Sequence, residues 1–318
     1  MNKESAIQRL TEIMRLKHMA LATEKTYCHW VARYIVFLRS HPLDGTSESK
    51  MESYLTMLAK EGVSASTQNQ AFNAIRFFYE SVLAQKLSDV SALRAKRGKR
   101  ERHAPSVGQV REIIQNAKDV HGYPTRLVVR ILYGCGLRVS EPLNLRIKDI
   151  DLENSRLVIR EAKRNKDRVV ALECSLVSEI QEQLRIARRF YELDHERNIP
   201  VPLPGLLAKK YRSAPLAWQW YWLFPSKTTC LHPRTGETVR WRMHEANVQM
   251  CVREAARIAG LDGAITPHNL RHAYATHLMD RGVNMKSLAE AMGHESIETT
   301  AGYCHASALS VPSPLALL

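Results

Sequence analysis

His268 and Arg271 stand three residues apart, Gly293-His294 follows, and Tyr303 lies nine residues beyond His294. An arginine offers a planar fork that matches phosphate oxygens, a histidine adds a donor, and a tyrosine hydroxyl is a candidate nucleophile. A second arginine, Arg138 in Gly136-Leu137-Arg138-Val139-Ser140-Glu141, would complete a clamp around a phosphodiester, and Lys163 could reach the same phosphate as a proton donor. Two guanidinium groups around a pentavalent phosphorane stabilise developing charge without a metal. The chemistry open to such a set is attack of a phenol on phosphorus.

These side chains meet only if the elements carrying them fold back on each other. Thr266 is the expected N-cap of a helix with Pro267 at its first position, closed by Gly282; His268 and Arg271 then share a face of the first turn. Asn284 is expected to cap the next helix, Gly293 to end it, and Ser296 to cap a third that carries Tyr303, so that the chain is helical to about residue 306. Lys163 falls in a charged turn, residues 162–167, between two expected strands at 157–160 and 168–172. Helices are expected at 107–115, 124–132 and 175–195, with an irregular, Trp-rich stretch at 199–245.

Ahead of these, residues 5–88 read as four helices. Their apolar faces hold Ile7, Leu10 and Met14; then Tyr27, Val31, Tyr34, Ile35 and Leu38 after Thr23 as a cap. Met51, Tyr54, Leu55 and Leu58 follow, and last Phe72, Ile75, Tyr79, Val82 and Leu83 behind a Ser64–Thr67 cap region. The aromatics Tyr27, Trp30, Phe77 and Phe78 read as core packing. Residues 94–103 are dominated by basic side chains, Lys96, Arg97, Lys99 and Arg100 among them. Such a run is too costly to bury and reads as a solvated linker, either a spacer or a strap along a phosphate backbone.

The chain has 318 residues, 45% apolar, with 46 Lys and Arg against 32 Asp and Glu, a formal charge of +14. That content excludes a disordered polyelectrolyte, the length suits two domains, and the charge points to a polyanion, nucleic acid first. No apolar run reaches the ~18 residues of a membrane span, and the first residues lack a signal peptide's apolar block. Six scattered cysteines fit free thiols in a reducing cytoplasm.

Each assignment has a plainer alternative. Arg138 could simply pair with Glu141, Lys163 has Arg164, Lys166 and Arg168 beside it, and Tyr303 could be a packed tyrosine. His272 and His277 share a helix with His268, but the sequence lacks the Glu of His-Glu-x-x-His and a carboxylate third ligand, so no metal is expected.

Arg138 in Gly-Leu-Arg-Val-Ser-Glu, Lys163 in the hairpin, His268-Asn269-Leu270-Arg271-His272, Gly293-His294 and Tyr303 resemble, in order and spacing, the motifs of the tyrosine recombinases over about residues 107–305. The resemblance implies a mainly α fold with a small antiparallel sheet. Residues 1–93 would be a helical, SAM-like core-binding domain, 94–106 a basic linker, and 107–318 an α+β catalytic domain. Residues 207–226, with Trp218-Gln219-Trp220-Tyr221-Trp222, look like the extra segment that marks integron integrases, placed here at about 185–226.

By that resemblance Arg138 and Arg271 bind the scissile phosphate, helped by His268 and His294. Tyr303 forms a 3′-phosphotyrosyl bond, and Lys163 protonates the departing 5′ oxygen. The family's Gly-Lys-Gly-x-Lys-x-Arg favours Lys163, but both glycines are replaced here, so Lys166 stays open beside it. Gly302 precedes the tyrosine where the family carries a bulky residue, and Pro142 sits just after Glu141.

The implied reaction moves gene cassettes between a duplex attachment site and a hairpin folded from one strand; the alternative is a chromosome-dimer or phage-type recombinase on duplex sites only. It requires no cofactor and no small-molecule substrate. The partners implied are DNA and further copies of the chain, dimers and tetramers on DNA, and no membrane. Four of the five tryptophans fall between 218 and 241; at least two are expected to fill a local core, with Trp220 as a platform for an unpaired base. Near it, Pro233, Trp241 and Arg242 match positions where the family tends to carry a Pro and a His-His pair, the pair being Trp-Arg here. Lys166, Arg168 and the linker cations are expected on the DNA backbone.

Overall fold

The structure is a computed structural model that describes residues 2–42, 44–88, 104–162, 166–203, 207–261 and 265–293. It divides into two compact units, Met1–Glu101 and Arg102–Leu318.

The first unit contains α1 (Lys3–Leu16), α2 (Leu21–Ser40), α3 (Ser47–Lys60) and α4 (Ala65–Phe77), the last running into a π-helical turn over Phe78–Val82. Polar side chains start three of them: Asn2, Thr46 and Ser64 each accept a hydrogen bond from a backbone N–H of the first turn. The fourth start differs from expectation. Helix α2 begins after Ala20 with no side-chain cap, and Thr23 lies inside it. Arg15 at the end of α1 donates to the buried carboxylate of Glu24, in the first turn of α2, at 3.0 Å. Leu10, Met14, Val31, Met51, Leu58, Phe72 and Ile75 fill the core with Tyr34, whose Oη lies 2.9 Å from that of Tyr79. Trp30 and Phe78 are buried, while Tyr27 and Phe77 meet edge to face at 5.5 Å, so these aromatics pack within the unit.

The second unit begins with α5 (Val107–Asn116), α6 (Thr125–Gly134) and α7 (Ser140–Leu143), then β1 (Ile150–Asp151), β2 (Arg156–Ala162) and β3 (Lys166–Ala171). It continues through α8 (Val177–Glu196), α9 (Leu207–Lys210), β4 (Pro225–Leu231), β5 (Thr238–Arg242), α10 (Glu245–Ile258), α11 (Pro267–Asp280) and α12 (Met285–Met292). Strands β1, β2 and β3 make one antiparallel sheet and β4 and β5 another. The fold is mainly helical with small antiparallel sheets, as expected. Helices α5, α6, α10 and α11 enclose a core with Val128, Ile131, Leu132, Leu157, Phe224, Val252 and Leu270. Among the described residues no helix is long and apolar enough to cross a membrane.

Three expectations change. The charged turn is shorter than residues 162–167, because Ala162 pairs with Lys166 and β3 starts there, beyond a register shift between Ile159 and Ala162. The stretch 199–245 is not irregular throughout, since it contains the β4–β5 hairpin. Helix α10 follows that hairpin and was not anticipated. The helical reading from Thr266 holds through α11 and α12; the expected third helix, with Ser296 and Tyr303, lies outside the described residues.

Candidate active site

Glu141 is the centre of the cluster. It stands at the start of α7, where its Oε2 accepts from the Arg138 backbone N–H at 2.8 Å and its Oε1 from Arg138 Nη1 at 2.8 Å. Arg168 of β3 binds both oxygens of the same carboxylate, at 3.1 and 2.8 Å. Arg271 of α11 approaches Oε2 at 3.6 Å. Three guanidinium groups from three parts of the chain thus face one carboxylate. The cluster has two positive charges in excess, a balance that favours an anion beside it.

The arginines are fixed from the other side by the C-terminal end of α12. Arg168 Nε donates to Ala291 O at 2.8 Å, Arg271 Nη2 to Met292 O at 2.6 Å, and Arg138 Nη2 to Gly293 O at 3.2 Å. The last carbonyls of a helix have no partner within it and carry its negative dipole end, so cations are favoured there. Arg271 also donates to Gly136 O at 2.9 Å. Gly136 has φ +62, and a Cβ there would lie 2.4 Å from the Tyr274 ring, so glycine is required for this approach.

Exposure separates the two expected phosphate ligands. The Arg138 side chain is 30% exposed and the Arg271 side chain 2%. Arg138 is therefore the guanidinium that meets solvent, with Arg271 beneath. His268 is exposed one turn before Arg271, on a helix started as expected: Thr266 N and Oγ1 both donate to Asn269 Oδ1, at 3.0 and 2.7 Å. Burial pushes the Glu141 carboxyl up, but the hydrogen bonds and charge of Arg168, joined by the Arg138 N–H and Arg271, outweigh it. The carboxyl is held below the usual glutamate range.

Arg168 stands elsewhere than expected. Its side chain is only 9% exposed and its guanidinium is spent on Glu141 and Ala291, so it braces the cluster rather than facing a DNA backbone. Lys163, His294, Tyr303 and the linker residues Lys96, Arg97, Lys99 and Arg100 lie outside the described residues; Lys166 opens β3. His277 Nδ1 is 2.9 Å from Tyr133 Oη, and burial lowers its pKa.

A second site lies in the same unit, a cavity of about 640 Å3 walled by Trp220, Trp222, Trp241, His232, Arg146 and Lys148. Lys148 Nζ sits 3.0 Å from the centre of the half-buried Trp220 ring, and Arg146 lies 3.1 Å over Trp222. Burial lowers the Lys148 ammonium below the usual lysine range; Arg160 and Arg146 push the same way, against Asp149. Trp218 stacks on Tyr221 and Trp222 is buried, so two tryptophans do serve a local core. Pro233 is exposed on the β4–β5 turn and Arg242 pairs with Glu245 at 3.0 Å; neither is brought to the cavity with Trp220 and Trp241.

The cavity wall is held by a buried ion pair, Arg240 Nη2 and Nε on Asp194 at 2.6 and 2.7 Å, with Tyr221 Oη on Asp194 at 2.5 Å. Arg240 O in turn accepts from Trp222 Nε1 at 3.0 Å. Arg160 of β2 binds Asp149 at 2.5 Å and Asp167 at 3.1 Å, so the root of the lysine-bearing hairpin is also cavity wall. The sequence reading singled out none of Arg146, Lys148, Asp194 or Arg240. Arg146 reaches a backbone carbonyl 74 positions away at Trp220, a pairing with no local signal. Glu141 carried one, its spacing of three from Arg138, but not its role as the shared partner.

Residues 106–309 match the phage integrase family, and residues 7–89 match the phage integrase N-terminal SAM-like domain. An integrase/recombinase of Escherichia coli is 35% identical over 301 residues, 94% of this chain and 88% of that protein. Among solved structures, a lambda integrase dimer bound to a COC′ core site superposes with a TM-score of 0.62 at 16% identity, covering 94% of both chains. The Tn1549 transposon integrase in complex with transposon right end DNA gives 0.60 at 17% identity, covering 96% of both. Two helical and α+β units, an arginine cluster around Glu141 and a family match across both units agree: the chain belongs to the phage integrase family of tyrosine site-specific recombinases.

Proposed function

We propose that this recombinase is an integron integrase, which exchanges gene cassettes between a duplex attachment site and a cassette site folded from one strand. The observation that carries the chemistry is the convergence of Arg138, Arg168 and Arg271 on Glu141, which leaves a net positive pocket open at Arg138. In this reading Arg138 and Arg271 hold the scissile phosphate, with His268 and His294 as further donors. The Tyr303 phenol loses its proton and forms an O–P bond while the P–O5′ bond breaks. Lys163, or Lys166 beside it, gives the departing oxygen its proton. A partner strand's 5′-hydroxyl then reverses the step, and since the phosphotyrosyl bond conserves the energy of the phosphodiester, no ATP or metal enters.

The domain reading is a core-binding unit over 1–93, a basic linker over 94–106 and a catalytic unit over 107–318. The +14 charge suits DNA as partner and the cytoplasm as the place of action. Solved structures of similar fold that are bound to DNA, one of them a dimer, support assembly on DNA, which in this reading proceeds through dimers to tetramers.

What favours a folded single strand over duplex alone is the tryptophan cavity. Aromatic faces edged by cations are the surface on which an extrahelical base is held, at about 1–3 kcal/mol per base. A cassette-excision assay comparing sites folded from the bottom and top strands tests this reading. Strong preference for one folded strand is expected; equal use of both, with full activity on duplex pairs, would instead favour a duplex-only recombinase. Trp220→Ala is expected to weaken binding of the folded site by about 5- to 150-fold while leaving duplex-site binding unchanged. Gel-shift titrations of both sites measure it, and an equal loss on both would remove Trp220 from base recognition.

A further inference from the structure

Helix α12 has eight residues, too short to be stable by itself. Its buried apolar anchors are Leu288, Ala289 and Met292, a small surface against α11. Yet the chain leaves this helix directly into His294 and, nine residues on, Tyr303. Whatever fixes the end of α12 therefore sets where those two residues start from.

The three arginines do not contribute equally to that end. Arg138 is 30% exposed, and Arg271 divides its bonds between Met292 O and Gly136 O. Arg168 spends its whole fork on Glu141 and its Nε on Ala291 O, and so joins β3, α7 and α12 through one rigid plane. The fit leaves no slack. Gly293 has φ +65, and a Cβ there would stand 2.9 Å from Arg168 Nη1 and 3.2 Å from its Cζ.

We propose that Arg168 is a positioning residue: it locks the C-terminal end of α12 onto Glu141, fixing the point from which the chain runs on in sequence to His294 and Tyr303. This rests on the strand-cleavage reading above. Arg168 itself need not touch DNA; its enclosure and its three internal bonds leave that to Arg138.

The test uses the full chain with Arg168→Gln, Arg168→Lys and Gly293→Ala. Hydrogen exchange without DNA reads α12 directly, and single-turnover adduct formation on a suicide substrate reads cleavage. Both Arg168 variants are expected to speed exchange of the α12 amides, with the first unit unchanged. They should slow adduct formation by about 10- to 100-fold, the scale of an ångström-level misplacement, with DNA affinity within about threefold of wild type. Lysine should not rescue, because a point charge cannot replace the fork. Gly293→Ala should give the same pattern with every charge retained, and the double variant should be no worse than either single one.

Should Arg168→Gln fail to fold, Arg168→Lys carries the test, because alanine at Gly293 (φ +65) strains the C-cap of α12 whatever Arg168 does. Unchanged α12 exchange in the folded variants overturns the proposal. So does rescue by lysine combined with a salt dependence of binding reduced by about one contact in the glutamine variant, the signature of a phosphate ligand. If the wild type forms no adduct, the cleavage reading fails, while the exchange data still decide whether Arg168 holds α12.

Discussion

Tyr303→Phe is expected to abolish the covalent protein–DNA adduct, with product below detection at any incubation time, while the affinity for the site stays within about twofold of wild type. The substitution removes one oxygen and keeps the ring. No partial activity is expected, because in the proposed mechanism the phenolic oxygen is the atom that becomes bonded to phosphorus, and general acid or electrostatic help cannot replace a missing nucleophile. Denaturing gels on a nicked substrate measure the adduct, and filter binding measures affinity. An adduct formed by the phenylalanine variant would assign the nucleophile to another residue.

The second large effect concerns Glu141. Removing it leaves Arg138, Arg168 and Arg271 facing one another without the carboxylate that they share. Breaking an enclosed ion pair by deleting one partner costs about 3–5 kcal/mol, because the charges left behind stay desolvated. For a unit of this size that is about 6–20 °C in melting temperature. Glu141→Ala is therefore expected to melt well below wild type, and calorimetry reads the difference; a shift under 2 °C would mean that the cluster relaxes to water at little cost.

The pH dependence follows from the same contacts. The Glu141 carboxyl is held below its ordinary range, so its contribution is complete above the unfolded value of about 4.3. It is lost as the pH falls through the lower folded value. The wild-type melting temperature should drop in that acid window, and Glu141→Gln should flatten the drop that this group causes.

The helical periodicity of the first unit was readable because each of its helices buries one stripe against the others. Leu10 and Met14, Tyr54 and Leu58, Phe72 and Ile75 recur at that spacing and are all buried. The starts of α11 and α12 were readable too, since the bonds that fix them are local: the Asn269 side chain accepts from the Thr266 N–H and the Asn284 side chain from the Lys286 N–H. Strand β4 was not. Its residues, Pro225–Leu231, do not alternate cleanly, and it pairs with β5 in a hairpin braced by the Arg240–Asp194 pair far along the chain. Helix α10 was legible but not read: its buried Val248, Cys251, Val252, Ala255 and Ala256 recur at i, i+3, i+4, i+7 and i+8, a helical stripe of mostly small side chains.

Within the candidate site the division follows the range of the interactions. By itself the sequence determined which residue types are present, their order, and the short-range pairs at helical spacing, Arg138 with Glu141 and His268 with Arg271. Only the tertiary structure decided that Arg168 turns inward to Glu141, that Arg138 and not Arg271 meets solvent, and that Lys148 caps Trp220. Those outcomes depend on which charges are desolvated together, and desolvation is a property of the packed chain rather than of any stretch of it.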